Sequence, residues 1–399
     1  MTWEILVGGR IAGEGVLPAV TFGPESSLTL EIPHKWSAAG SAGEAFLNLS
    51  ATLTGAEPLL PAGHELAKVQ FLLQEGTPAA VPPASGLVGM AVEEGNVVLS
   101  FDGGTLSLNR NTGEVAAYRI GKRELVLGGA QPNFWRPPVD NDYGASSPQN
   151  YAEWRSPFTS DAPAKMTNQR LDDGRMEVAF ARAILGGDAV VTVTYTVAND
   201  GTVDVEQALQ AIAGKANSDI AGRRKGFEKG EHANLYRFGQ HWVLPEGMES
   251  VEWYGRGPME SAADRKEAAF VGLHSAEVTD LVTPYARPQY NGTRTDTRWF
   301  RVTNARGQGL EFKAHGTVDF TALRYSPDQL DAGPDKTTTQ SHFRLLDPVA
   351  ETHLDIDGYS AGVACINSWG ALPLPEYRLP YGDYSYGFTM RPIQRPVQP

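Results

Sequence analysis

An all-β chain of more than one domain is what this sequence predicts, and three observations carry that expectation. Apolar residues recur at every second position between turns, as in Val191, Val193, Tyr195 and Val197. Gly (43) and Pro (27) are dense among the 399 residues, which punctuates the chain into many short elements. Helical periodicity is scarce, and strands do not alternate with helices, so a parallel α/β sheet is excluded and sandwiches remain. A chain of 399 residues exceeds one ordinary core, so two domains are expected.

The elements follow in order. Residues 1–75 form a first unit, small for a complete sandwich. The Pro-, Ala- and Gly-rich stretch 76–94 reads as a linker, and residues 95–399 as a large second domain. In that domain Thr105-Leu106-Ser107-Leu108-Asn109 alternates, and Asn111-Thr112-Gly113 turns the chain. Thr192, Thr194 and Thr196 lie on the face opposite Val191, Val193, Tyr195 and Val197. Asn199-Asp200-Gly201 then makes a tight turn, and Val203 and Val205 begin the returning strand of a hairpin. Segments 309–315, 353–356 and 384–390 also read as strands, the last with Tyr384, Tyr386 and Phe388 to one side. Short helices fit around 148–155 and 324–331. The basic stretch 222–230 reads as a solvated loop.

Composition narrows the function. The net charge of −13 lacks the basic surface that phosphate binding needs, so nucleic acid is not an expected partner, whereas a neutral ligand such as a sugar is compatible. The single cysteine, Cys365, forbids an internal disulfide and sits in an apolar run as a buried small hydrophobe. No signal peptide and no apolar run of membrane-spanning length is visible, so a cytoplasmic protein without a membrane partner is expected. The sequence carries no Gly-x-Ser-x-Gly, no His-Glu-x-x-His, no phosphate loop and no dinucleotide fingerprint. Asp140-Asn141-Asp142 groups three oxygen-bearing side chains, which suits backbone capping in a turn better than a metal site.

Two places hold candidate binding chemistry. Trp369, in Asn367-Ser368-Trp369-Gly370, follows an apolar run and precedes Leu372-Pro373-Leu374-Pro375. On a loop at a strand end it is either a packing anchor or an exposed ring able to stack on a sugar. The segment Trp253-Tyr254-Gly255-Arg256-Gly257-Pro258-Met259-Glu260 begins as a strand and ends with hinge chemistry, or forms an ordinary surface loop.

With these residues the chain resembles the carboxy-terminal, small-chain region of bacterial family 2 β-galactosidases. The resemblance is carried by Phe134-Trp135-Arg136-Pro137-Pro138-Val139-Asp140-Asn141-Asp142-Tyr143-Gly144, by the 253–260 segment with Asp264-Arg265, and by Tyr285 to Arg294. Arg324-Tyr325-Ser326, Ile356-Asp357-Gly358 and Asn367-Ser368-Trp369-Gly370 continue it in the family's order over roughly 95–390. Residues 1–75 resemble, more weakly, the preceding immunoglobulin-like domain.

The resemblance implies an immunoglobulin-like sandwich lacking its opening strand or strands, then a large antiparallel supersandwich related to galactose mutarotases. It implies hydrolysis of terminal β-D-galactosides, lactose included, with retention of configuration. Such chemistry takes two carboxyl groups about 5–5.5 Å apart. In the family both are glutamates on a (β/α)₈ barrel outside the region seen here, so no catalytic residue is assigned to this chain. The chain alone is expected to be inactive and to be completed by the barrel-bearing remainder or a large subunit. No tightly bound metal or cofactor is expected here, because the family's Mg²⁺ and monovalent cation belong to the barrel side. Trp369 matches the tryptophan that stacks on the sugar. Glu260 matches a glutamate of the mobile active-site loop, with Gly257, Pro258 and Met259 beside it. Ser261-Ala262 departs from the family's Asn-Tyr, Tyr290 stands where Glu is frequent, and Asn367 where Asp is frequent. A homo-oligomer is compatible with this reading. A free-standing galactoside-binding module is the alternative, and sugar mutarotase activity a third idea resting on fold analogy alone.

Overall fold

The computed structural model describes residues 1–20, 23–34, 43–76, 86–217, 227–335, 342–363, 367 and 369–394. Cys365, residues 77–85 of the linker stretch and residues 222–226 of the basic loop lie outside the described residues.

The first unit is an antiparallel sheet of strands β1 (Thr2–Val7), β2 (Arg10–Val16), β3 (Ala45–Thr52) and β4 (Glu65–Gln74), in spatial order β2-β1-β3-β4. One face buries Trp3, Ile5 and Leu47 under Leu17, Leu30 and Ile32, which lie outside the described strands. The opposite face packs Leu6 and Phe46 onto Tyr254 and Val271 of the second domain. Polar contacts join the same surfaces. Glu44 accepts from Arg298 at 2.5 and 2.9 Å and from the Tyr254 hydroxyl at 2.9 Å. Gln70 exchanges two hydrogen bonds with the backbone of Val271, at 2.8 and 2.9 Å.

The second unit is a 17-stranded sheet curled on itself, antiparallel in the pairings described. The stretch Gly89–Glu93, at the end of the expected linker, is a strand of this sheet paired with Asn96–Phe101. Alternation does the work the sequence predicts. In Ala189–Val197 the residues 189, 191, 193, 195 and 197 are buried and those between are half-buried. Gly201 closes the hairpin at φ +85°, a left-handed conformation that costs a glycine little. Stacked rings fill the interior, Phe300 lying 4.7 Å from Phe312 and 4.5 Å from Phe320. The expected helices are short turns at Ser147–Asn150, Ala152–Arg155 and Pro327–Leu330.

Candidate functional site

The site is built from segments far apart in sequence. Helix α1 (Asp140–Gly144) is positioned by Asp142, whose carboxylate accepts from Arg136 at 2.7 Å and from the Val139 amide at 2.8 Å. Both side chains are almost fully buried, and a buried charge pair of this kind holds only with its remaining hydrogen bonds made. The Arg136 guanidinium lies over the rings of Tyr236 and Tyr290, at 4.4 and 5.2 Å. Asp142 thus braces α1, which is the capping role its sequence suggests. The neighbouring Asn141 reaches across to donate to the carbonyl of Val363 at 3.2 Å.

Asp264 receives the amide of Val363 at 3.0 Å, and the amide of Gly362 donates to the carbonyl of Tyr377. These bonds fix Gly362 and Val363. A Cβ on Gly370 would meet the carbonyl of Gly144 at 3.2 Å, so the Trp369 loop rests against the end of α1. The Trp369 amide donates to the Asn367 side chain at 2.9 Å, while the indole is 91% exposed. The ring is open to solvent in this chain.

Glu260 lies where the strand Ser250–Gly257 gives way to a loop. Its carboxylate accepts from the Gly292 amide at 2.7 Å, from Arg265 at 3.0 Å and from the Tyr285 hydroxyl. Burial opposes its charge, but these donors together with Thr283 outweigh it and hold the carboxyl below the usual glutamate value. Gly257 is packed so tightly that a Cβ would lie 2.8 Å from His274. The Pro258 carbonyl accepts from the buried Arg294 at 2.9 Å, and Met259 is exposed. Ser261, the departure from the family pattern, is buried and bonded to Thr295 at 2.8 Å.

These pieces enclose one cavity of about 290 Å³. Asp140 and Asn141 of α1, Glu260, Arg265, Tyr285 and Gln289 are among its walls. Tyr290, also in the wall, stands with its ring 5.2 Å from the guanidinium of Arg136 and 5.2 Å from that of Arg237. An aromatic face thus meets the two cations at a position where the resemblance leads one to expect a carboxylate. The cavity can take a small polar molecule through uncharged groups, the carboxylates of Asp140 and Glu260 and the guanidinium of Arg265. Among the described residues, the one grouping with metal-ligating geometry is Asp204, Glu206 and His315, with Glu206 and His315 exposed.

Sequence reasoning missed a buried polar chain behind this wall. Arg237 pairs with Asp355 at 2.5 Å, Asp355 meets His241 at 2.7 Å, and His241 meets His353 at 3.1 Å. Its members sit on paired strands more than 100 residues apart, and no local spacing signals them.

Comparison with known proteins agrees with this build. The profile of the family "Beta galactosidase small chain" matches residues 101–390, and that of "Beta-galactosidase, domain 4" matches residues 1–74. A β-galactosidase of Priestia megaterium is 31% identical over 371 residues, covering 92% of this chain and 33% of that protein. A β-galactosidase of Halalkalibacterium halodurans is 26% identical, covering 87% of this chain and 32% of that protein. Among solved structures, a galactose 1-epimerase from Lactobacillus acidophilus aligns with 77% of this chain and 98% of its own at TM-score 0.42 and 8% identity. The chain spans about a third of the length of the curated relatives it matches. With its motifs gathered around one cavity and its family profile matched over most of its length, this chain belongs to the β-galactosidase small-chain family.

Proposed function

We propose that the chain is the part of a retaining β-galactosidase that walls the substrate pocket and places Trp369 against the sugar, while a catalytic glutamate pair on a barrel-bearing segment cleaves terminal β-D-galactosides such as lactose. The observation that carries this reading is Trp369, 91% exposed, with the adjoining Gly370 against the end of α1, whose Asp140 and Asn141 line the Glu260 cavity. A large apolar ring left in water is a surface that a partner outside its own chain can cover. Galactose offers a face of C–H groups that such a ring can cover.

Glu260 belongs to the same rim, on the side of the departing aglycone. Its carboxylate is committed to three donors, so it acts as a fixed acceptor that shapes the rim and not as a proton carrier. The proposed division of labour leaves bond breaking to a carboxylate pair on the barrel-bearing segment.

The test is hydrolysis of nitrophenyl β-galactoside. The purified chain should show none, and mixing with the barrel-bearing remainder should restore turnover. Turnover by the chain alone would overturn the reading. Saturable galactose binding by the isolated chain, lost in Trp369→Ala with no gain of activity on mixing, would instead favour the binding-module alternative.

A further inference from the structure

Behind Tyr290 and Asn291 of the Glu260 cavity lies a small pocket of about 20 Å³, and the His241 and His353 that line it also line a larger cleft of about 660 Å³, within the range of small-molecule sites. They end the polar chain described above: the carboxylate of Asp355, held by Arg237, meets Nδ1 of His241, and Nε2 of His241 meets Nδ1 of His353. Both ring nitrogens of His241 and one of His353 are therefore committed, which leaves Nε2 of His353 for the cleft.

Two proton placements satisfy the chain. With His241 neutral, its Nδ1–H donates to Asp355 and its Nε2 accepts from His353, so the free Nε2 of His353 is an acceptor. With His241 protonated, its Nε2–H donates to Nδ1 of His353, and Nε2–H of His353 becomes a donor. A group that can present either polarity by shifting protons along the chain, with the rings in place, is matched to a hydroxyl, which also does both. Burial and the nearby His241 push His353 down to about 4, against Asp355, Glu351 and Asp328, so the ring is uncharged at neutral pH.

Three charged side chains line the rest of the cleft, Arg155 against Asp331 and Asp328, a balance that disfavours an anion. Arg155 and Asp331 face each other at 3.2 Å and cancel, and Asp331 also accepts from the indole of Trp135 at 2.9 Å. Trp135 and Phe158 supply flat apolar surface, and Gln131 and Ser156 supply uncharged polar groups. We propose that this cleft is a second binding site, for a neutral hydroxyl-rich ligand of mono- or disaccharide size, with a ligand hydroxyl bonded to Nε2 of His353.

The experiment is a titration of the 399-residue chain with galactose and with lactose, following imidazole resonances by long-range ¹H–¹⁵N correlation. His353 is assigned by its loss in His353→Phe. Saturable shifts of the His353 and His241 rings are expected, with affinity about tenfold weaker in His353→Phe. A second readout needs no variant: either sugar should protect His353 from diethyl pyrocarbonate while the exposed His64 still reacts. Absence of shifts and of protection up to about 100 mM sugar overturns the proposal. So do shifts that vanish in Trp369→Ala, because they then belong to the indole.

Discussion

Trp369 and Glu260 show how differently two residues of one rim are held. The indole gives almost nothing to the fold, so Trp369→Ala should leave thermal stability within about 0.5 kcal/mol of wild type. In the assembled enzyme the same change should lower kcat/KM for nitrophenyl β-galactoside about tenfold, the worth of one aromatic stack. Unchanged kinetics would remove the stacking role. Glu260 is the converse, an acceptor for three donors. Glu260→Gln should cost about 2 kcal/mol at neutral pH, measured by denaturant unfolding. Because the folded carboxyl sits below its ordinary value, its stabilisation is present above the unfolded-state pKa and fades as pH falls through the folded one. The gap between wild type and Glu260→Gln should therefore close below about pH 4. Tyr290 is where a family departure has a visible consequence. Its ring meets the Arg136 and Arg237 guanidiniums, so Tyr290→Glu would introduce a fourth buried carboxylate beside Asp142, Asp355, Asp357 and the two arginines.

At the scale of elements, β4 is the exception in an otherwise well-covered molecule. It lies at the edge of the first sheet, pairs only with β3 among the described strands, and exposes Leu66, Val69, Phe71, Leu72 and Leu73. Val69 and Phe71 stand opposite Leu49 and Leu47, so they extend the apolar face of β3 beyond its cover. An open edge carrying such a stripe is a template for further strand pairing. Val69→Lys and Phe71→Lys together should reduce concentration-dependent light scattering of the isolated chain without changing its far-UV circular dichroism. Equal scattering would show that this edge is not the adhesive surface. The long strand Gly309–Leu323 behaves oppositely, pairing with three others and burying Phe312 and Phe320.

At the scale of the whole molecule, the small sheet is joined to the large one by a compact set of contacts centred on Glu44. Its carboxylate takes two bonds from Arg298 and one from Tyr254 and is largely buried. Truncating one partner of such a pair leaves the other charge stranded. Glu44→Ala should loosen the small sheet by about 2 kcal/mol, seen as earlier proteolysis within residues 1–74 while the large domain's melting is unchanged. A single transition shifted as one would show that the two units unfold together.

The sequence alone determined the strand content, the hairpin at Asn199-Asp200-Gly201 and the motif blocks, because alternation and turn chemistry act over a few residues. It also marked Trp369 and Glu260 through their motifs. It did not determine that Glu260 would meet Tyr285, Gly292 and Arg265, that Asp264 would meet the Val363 amide, or that Asp355, His241 and His353 would join. Those meetings depend on the register and pairing order of a curled antiparallel sheet, which brings residues more than 100 positions apart within hydrogen-bond distance. Long-range pairing is selected by total burial across many strands, and no local window of sequence contains that sum.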